Sequence, residues 1–213
     1  MRSCRRIFLD EFLEISEKEL EGDIIDIGGE KFQKKGNYRP YKNRKIKSWK
    51  YLNTNEKKKP DFLIPAEKIT ELNLQFDGFI LCEVLEHLEN PEIVLSETSK
   101  SLRIGGVGII TIPFLVGEHA DPDDYQRYLP NKLKIVLNKV GLETKKIYYM
   151  GGLSASIFDL ILLKLYYNYS FITRIVIKIL HYLQIILLKF TNGLSTKRNK
   201  FTTGYGLIVK KIF

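Results

Sequence analysis

Two carboxylates and an imidazole lie within five consecutive residues of this 213-residue chain, as Glu83, Glu86 and His87. Residues spaced three and four apart share one side of a helical turn. Such a cluster could contact a substrate or a cation, or it could fix a loop and the start of the next helix. One histidine with carboxylates does not select a particular metal. We therefore favour the structural role and predict no metal site.

A second candidate is His119, which is followed closely by three aspartates. Asp121, Asp123 and Asp124 could orient its imidazole, and an imidazole near neutral pH is suited to removing a proton from a hydroxyl. Alternatively, Asp121 and Pro122 begin a turn, and Asp123 caps a helix. The residues alone leave both interpretations open.

The elements that must position these residues alternate between short apolar runs and helical patterns. This alternation predicts an α/β fold with right-handed crossovers and a doubly wound, mostly parallel, seven-stranded sheet. We expect one domain over 1–213, with a lead-in helix in 1–21 and a helical insert in 151–196. The predicted strands are 23–27, 48–52, 62–64, 76–82, 107–114, 144–150 and 205–210, and further helices are expected at 91–102 and 131–140.

In such a sheet a ligand binds beyond the carboxyl ends of the strands. A pair of glycines, Gly28 and Gly29, follows the first predicted strand and would let a ligand approach the backbone closely. Asp26 could accept a hydrogen bond from a cationic or amino group above that loop. The segments expected at this edge are 26–29, 53–55, 83–87 and 113–127.

The net charge of +9 is concentrated at the end of the chain, because nine lysines and arginines follow position 150 against the single acid Asp159. Charges interrupt the apolar run before the roughly 20 residues that a transmembrane helix needs. The insert is therefore either a helical pair packed on its own domain or an interfacial attachment of 157–190 to an anionic membrane surface, which we favour. Its polar residues recur at helical intervals, as Arg174, Lys178, His181, Gln184 and Lys189.

Four sequence blocks together resemble a class I S-adenosylmethionine (SAM)-dependent methyltransferase. They are IIDIGG at 24–29, FDGFILCEVLEHLENPE at 76–92, SLRIGGVGIITIPF at 101–114 and HADPDDYQRYLPNKL at 119–133. The nearest likeness is to the branch with quinone methyltransferases and enzymes of surface-polysaccharide gene clusters. It spans about 22–150 plus the closing strand. The resemblance implies SAM as cofactor and a Rossmann-like strand order of 3-2-1-4-5-7-6, with the last strand antiparallel.

The resemblance also implies roles for individual residues. Asp26, Gly28 and Gly29 match the loop that holds the methionine part of SAM, and Cys82 and Glu83 match the strand end beside the cofactor. The chain departs from the family pattern at three places, which predicts weak SAM binding or a divergent pocket. The third glycine is absent after Gly29, Asn53 and Asn55 replace the acid expected to bind the ribose, and Pro65 replaces an acid near the adenine.

Two function hypotheses follow. The first is an enzyme that methylates a hydroxyl of a glycan or lipid-linked small molecule, with His119 as the base and Tyr125 and Arg127 holding the acceptor. Arg127 could instead form an ion pair with Asp123 or Asp124. The second is a catalytically inactive methyltransferase-like module that acts as a membrane-associated interaction protein.

Composition limits the classes of binding partner and the cellular compartment that we expect for this chain. Basic residues are interleaved with aliphatic ones rather than forming a continuous basic stripe, which argues against a nucleic-acid partner. Two cysteines, Cys4 and Cys82, provide no disulfide framework, and the first residues have no apolar run of the secretory type. We expect a cytoplasmic protein with peripheral membrane attachment.

If His119 is the general base, H119A should lower turnover by about a hundredfold to ten-thousandfold. SAM affinity should stay nearly constant, because the imidazole acts on the acceptor. Steady-state rates with the methyl acceptor and a calorimetric titration with SAM measure the two quantities. An unchanged rate would reduce His119 to a structural residue.

Overall fold

A computed structural model of the chain describes residues 3–31, 38, 40, 43–118, 123–167, 170–190 and 193–213. Within 170–190 the side chains of 171–172, 181–182 and 185–190 lie outside the description. The helices are α1 (Cys4–Ser16), α2 (Pro91–Lys100), α3 (Pro130–Lys139), α4 (Leu153–Tyr167) and α5 (Phe171–Phe190). The strands are β1 (Gly22–Ile27), β2 (Ile46–Asn53), β3 (Phe62–Leu63), β4 (Phe76–Cys82), β5 (Leu102–Pro113), β6 (Leu142–Met150), β7 (Leu194–Ser195) and β8 (Gly204–Lys211).

The strands form one sheet in the order β3-β2-β1-β4-β5-β8-β6-β7. Neighbours from β3 to β5 are parallel, and β8 runs antiparallel to both β5 and β6. The expectation of seven strands was therefore wrong by one, since the described residues form eight. The additional strand, β7, has two residues that pair with Tyr149 and Met150 of β6. A two-residue strand has no alternating pattern by which its sequence could be recognised.

Most predicted elements are confirmed with shifted ends, and two boundaries are wrong. The lead-in helix ends at Ser16 rather than near Leu20, because residues 17–19 continue as a 3-10 turn. Gly105 and Gly106 lie inside β5 rather than after the preceding helix. A side chain at Gly106 would come within 2.8 Å of the Asp77 carbonyl oxygen, so the backbone of β5 passes β4 too closely for any other residue.

Each face of the sheet has its own apolar core. One core, under α2 and α3, includes Phe79, Leu95 and Val136. The other lies under α1 and α4 and includes Phe12 and Phe158. The inner side of α4, the first helix of the insert, is thus part of the domain core.

The start of α1 is held by two side chains. The Ser3 hydroxyl accepts from the Arg6 amide at 3.1 Å. Asp159 of α4 accepts from the amides of Cys4 and Arg5 at 2.7 and 2.8 Å. These amides lack carbonyl partners within the helix, and a carboxylate is favoured at a helix N-terminus. Asp159 therefore joins the insert to the lead-in helix.

Replacing Asp159 with alanine should lower the free energy of unfolding by about 1–3 kcal/mol, because two buried N–H groups would lose a carboxylate partner. Lys164→Ala is the matched control, since Lys164 lies exposed on the same helix. Urea unfolding followed by circular dichroism measures both variants. Equal stability of the two variants would show that the contacts of Asp159 contribute nothing net.

Candidate active site

A glycine loop closes β1 at the carboxyl edge of the sheet. Gly28 has φ +81°, and its amide donates to the Leu52 carbonyl at 2.8 Å. A Cβ at Gly28 would lie 2.5 Å from Cγ2 of Val84, and one at Gly29 would overlap the Asp26 carboxylate. The loop therefore requires glycine at both positions, as expected from the sequence, and brings its backbone close to the residues that follow β4.

Of the two asparagines expected to replace the ribose acid, Asn53 holds this loop. Nδ2 of Asn53 donates to the carbonyls of Gly28 and Gly29 at 2.9 and 3.0 Å. The Asn53 side-chain oxygen accepts from the Asn55 amide at 2.9 Å, and Asn55 caps the next 3-10 turn through the Lys57 amide. Asn53 thus lies at the predicted edge with its amide group occupied by protein. Its role toward a ribose stays a prediction.

Asp26 lies half-buried at the end of β1, on the face covered by α1. Its carboxylate accepts from Nε1 of Trp49 at 3.3 Å. Burial raises the pKa of Asp26 to about 7, although the Trp49 hydrogen bond opposes the shift. A carboxyl in this state gains from a nearby cation, because the positive charge compensates for the lost hydration.

The end of β4 is tied to β5 and to α1. Glu83 adopts φ +55°, a left-handed backbone conformation that is strained for a side chain with a Cβ. Its amide donates to the Thr111 hydroxyl at 3.1 Å, and that hydroxyl donates to Oε1 of Glu83 at 2.8 Å. The Arg5 guanidinium forms an ion pair with the same carboxylate. These contacts hold Glu83 in one orientation despite the strain.

Cys82 lies beside Glu83 and is not a nucleophile. Burial and the negative charge of Glu83 raise the pKa of its thiol to about 12. The thiol is therefore protonated at neutral pH, whereas the reactive form of cysteine is the thiolate. The predicted role of Cys82 beside a bound cofactor stays a prediction.

A cavity of about 240 Å³ opens between α1, α4 and the end of β5. Arg5 and Glu83 line one side, and Asp159 lies where α1 meets α4. The Arg6 side chain also lines the cavity and donates no hydrogen bond to a described residue. The remaining walls are largely apolar, with Leu9, Pro113, Val116 and Leu163.

Glu86 and His87 face the loop that follows β5. Nδ1 of His87 lies 2.5 Å from the Asp123 carbonyl oxygen, and the Glu86 carbonyl accepts from the Tyr125 amide at 2.8 Å. The Glu86 side chain is 0% exposed, and burial together with Glu83 raises its pKa to about 8. These contacts support the loop-fixing interpretation. Among the described residues, no group of three or more metal-ligating side chains could hold a metal ion.

The two residues predicted to bind the acceptor are not among those that line the cavity. Arg127 forms a two-pronged ion pair with Asp124, the alternative considered from the sequence. Tyr125 has an exposed ring. His119 falls outside the described residues, so its role as a base stays a prediction. Residue types alone did not show which residues of the loop after β5 border the cavity.

Sequence reasoning missed the contribution of α1 and α4 to this site. The sequence places Arg5 and Arg6 in the lead-in helix and Asp159 and Leu163 in the insert, and neither segment is predicted to contribute to the site. One signal was present, because Asp159 is the single acid among the basic and apolar residues after position 150. A lone buried acid in such a segment needs a partner, and here the partner is the start of α1.

Apart from the additional edge strand β7, the strand order and the antiparallel closing strand are those implied by the resemblance, and solved SAM-dependent methyltransferases share this fold. No family model and no curated protein sequence matches the chain. Among solved structures, a SAM-dependent methyltransferase from Clostridium acetobutylicum is similar with a TM-score of 0.61 and 12% identity, covering 98% of this chain and 92% of the other.

Two further structures show the same likeness. A SAM-dependent methyltransferase from Archaeoglobus fulgidus has a TM-score of 0.54 and 17% identity, covering 97% of this chain and 94% of that one. The O-methyltransferase of a trans-AT PKS multienzyme from Brevibacillus brevis, in complex with S-adenosyl-L-homocysteine, has a TM-score of 0.51 and 12% identity, with 98% and 72% covered. Because the sequence identities are only 12% to 17%, the likeness to these structures establishes the fold alone.

The raised pKa of Asp26 gives the protein a pH-dependent stability. Unfolded Asp26 loses its proton near pH 3.8, whereas the folded residue holds it until about pH 7. The unfolded state binds fewer protons in this window, so this residue lowers stability as pH rises from about 4 to 7. Asp26→Asn should remove this trend and raise the free energy of unfolding above pH 7 by up to about 4 kcal/mol.

Asp61→Asn is a control variant whose stability should change in the opposite direction. Burial would raise the pKa of Asp61, but the Tyr51 amide and the charges of Lys31 and Lys50 lower it below its usual value. Its loss should therefore destabilise the protein at neutral pH. Urea unfolding from pH 4 to 8 measures both variants, and a wild-type trend that Asp26→Asn leaves intact would assign the pH dependence to another group.

Proposed function

We propose that this chain is a SAM-dependent methyltransferase that methylates a hydroxyl of a glycan or lipid-linked small molecule. The observation behind the proposal is the meeting of two features at one sheet edge. The glycine loop with Asp26 follows β1, and the 240 Å³ cavity lies above the ends of β4 and β5. Glu83 borders the cavity and follows Cys82, the last residue of β4.

The residues at the glycine loop fit the methionine part of SAM. Gly28 and Gly29 let Val84 and the Asp26 carboxylate pack directly against the loop backbone, which keeps the loop beside the residues that follow β4. Asp26 and Glu83 present carboxyl groups to a molecule with an ammonium and a sulfonium group, and a cation beside Asp26 would favour its ionised form. When bound, SAM supplies a methyl group on that positively charged sulfur. The carboxyl groups of Asp26 and Glu83 thus suit a positively charged ligand such as SAM.

The cavity fits one reacting group of a larger acceptor. Its volume is smaller than the roughly 300 Å³ at which typical ligand pockets begin. An acceptor much larger than a sugar ring would therefore extend beyond it, as a glycan or a lipid-linked molecule does. Arg6 offers hydrogen-bond donors to an acceptor oxygen, and Leu9, Val116 and Leu163 exclude water from the other walls.

The chain's own residues contribute orientation, electrostatics and proton transfer. Arg5 holds the Glu83 carboxylate in place by an ion pair, and the Thr111 hydroxyl donates a hydrogen bond to the same carboxylate. Transfer of the methyl group that bound SAM would supply to an acceptor oxygen would require the hydroxyl proton to leave. His119 is the proposed acceptor of that proton at an imidazole nitrogen. Alignment of the two reactants provides most of the remaining rate enhancement.

One observation favours the second candidate, a catalytically inactive module. The side-chain amide of Asn53 is used within the protein, so the end of β2 offers no carboxylate to ribose hydroxyls at that position. A charge-assisted hydrogen bond expected in active relatives is therefore replaced by a structural one. Weak or absent cofactor binding would follow.

Calorimetric titration with SAM and S-adenosylhomocysteine distinguishes the two candidates. We expect binding in the micromolar range, and Gly28→Ala should weaken it by at least about tenfold, because the new Cβ would push against Val84 and move the loop. Gly105→Ala is the matched control. Gly105 also has a positive φ, but a Cβ there meets nothing closer than 3.9 Å, and it borders a cavity on the opposite edge of the sheet.

Binding that survives in folded Gly28→Ala would place the cofactor elsewhere. Failure of the wild-type protein to bind either compound would favour the inactive module. If binding occurs, incubation with methyl-labelled SAM and lipid-linked glycans should transfer label to an alkali-stable ether. Label confined to nitrogen or sulfur of other acceptors would contradict the proposed O-methylation while leaving SAM-dependent methylation intact.

A further inference from the structure

The outer face of the α4–α5 pair is apolar and exposed. We call this surface the hairpin face. Its residues recur at helical intervals on each helix and are Leu153, Ile157, Leu160, Ile161, Ile175, Val176, Ile179 and Leu183. Ile179 alone is 57% exposed. Exposed apolar residues at helical spacing on two paired helices are typical of an interaction site.

The hairpin face is separate from the surface that packs on the domain. On α4, Ala155, Phe158 and Leu162 are buried in the core beneath α1. On α5, Ile177 is buried, and Nε2 of Gln184 lies 3.5 Å from Sγ of Cys4. Each helix is thus fixed to the domain by one side, and the hairpin face is left over on the other. Gln184, expected in the polar stripe of α5, lies on the inner side.

The charges around the hairpin face have one sign. Lys164 lies among its α4 members, and Arg174 and Lys178 lie beside its α5 members, all exposed. The two helices contain one acid, Asp159, which is buried against the start of α1. An apolar stripe bordered by lysine and arginine matches a lipid surface, with acyl chains against the stripe and anionic head groups against the cations.

We propose that the hairpin face binds the surface of an anionic membrane, with α4 and α5 lying in the interface. None of the helices in the described part of the chain is long and apolar enough to cross a bilayer. A second copy of the chain is a poorer occupant. A two-fold contact brings the same patch of both copies together, and here it would bring like charges together.

The proposal has a consequence for access to the cavity. Leu163 of α4 lines the cavity, while Ile161 and Lys164 beside it belong to the outer side of the same helix. A membrane bound at the hairpin face would therefore lie against a helix that also forms a cavity wall. This arrangement suits an acceptor with a lipid part, but membrane binding itself does not depend on the reaction.

Cosedimentation of the intact protein with vesicles tests the proposal. We expect binding to vesicles of phosphatidylglycerol and phosphatidylcholine at low salt, and loss of binding with phosphatidylcholine alone. Lys164→Glu with Lys178→Glu should weaken binding at least about tenfold, since each cation near an anionic surface adds to the attraction. Ile157→Gln, Ile161→Gln and Ile179→Gln together should weaken it similarly, because the buried apolar area is lost.

Matched controls come from α3, which is exposed elsewhere. Lys134→Glu with Lys139→Glu makes the same change in net charge, and Ile135→Gln removes an exposed isoleucine. Both should bind vesicles like the wild type, with circular dichroism confirming that all variants are folded. Failure to sediment at low salt, or equal losses in the α3 controls, would overturn the proposal. So would a dimer in sedimentation velocity that the isoleucine variant converts to monomer, which would assign the hairpin face to self-association.

Discussion

The carboxylate of Asp159 is the contact on which the candidate site depends. It binds the first amides of α1 and so fixes where that helix starts. The second residue of α1, Arg5, then forms an ion pair with Glu83 at the end of β4. A sequence separation of more than 150 residues is bridged by this contact. Without it, α1 would still pack on the sheet through its apolar side, but the first amides of the helix would lose their carboxylate partner.

Buried carboxyl groups set the electrostatics of the same edge. Asp26 and Glu86 are both deprived of water, and the pKa values rise to about 7 and about 8. Glu83 differs, because Arg5 compensates its charge. The edge therefore carries two carboxyl groups that are poised to hold protons near neutral pH. Perturbed pKa values of this kind are typical of functional sites.

The insert before the last strand has two physical roles. Its inner side completes the core beneath α1 and provides Asp159, while its outer side presents the apolar and basic hairpin face. The two roles occupy opposite sides of the same helices. The two-residue strand β7 returns the chain to the sheet edge beside β6 after α5.

The sequence by itself determined the α/β class, most strand positions and the glycine loop. These features depend on local periodicity and on glycine, whose conformational freedom is visible one residue at a time. It also indicated the basic, apolar character of the insert, since composition requires no knowledge of contacts. Only the tertiary structure decided that Asn53 would hold the loop, that Arg127 would pair with Asp124, and that α1 and α4 would form the cavity. Those outcomes depend on contacts between residues far apart in the chain, and neither spacing nor propensity records which distant groups become neighbours.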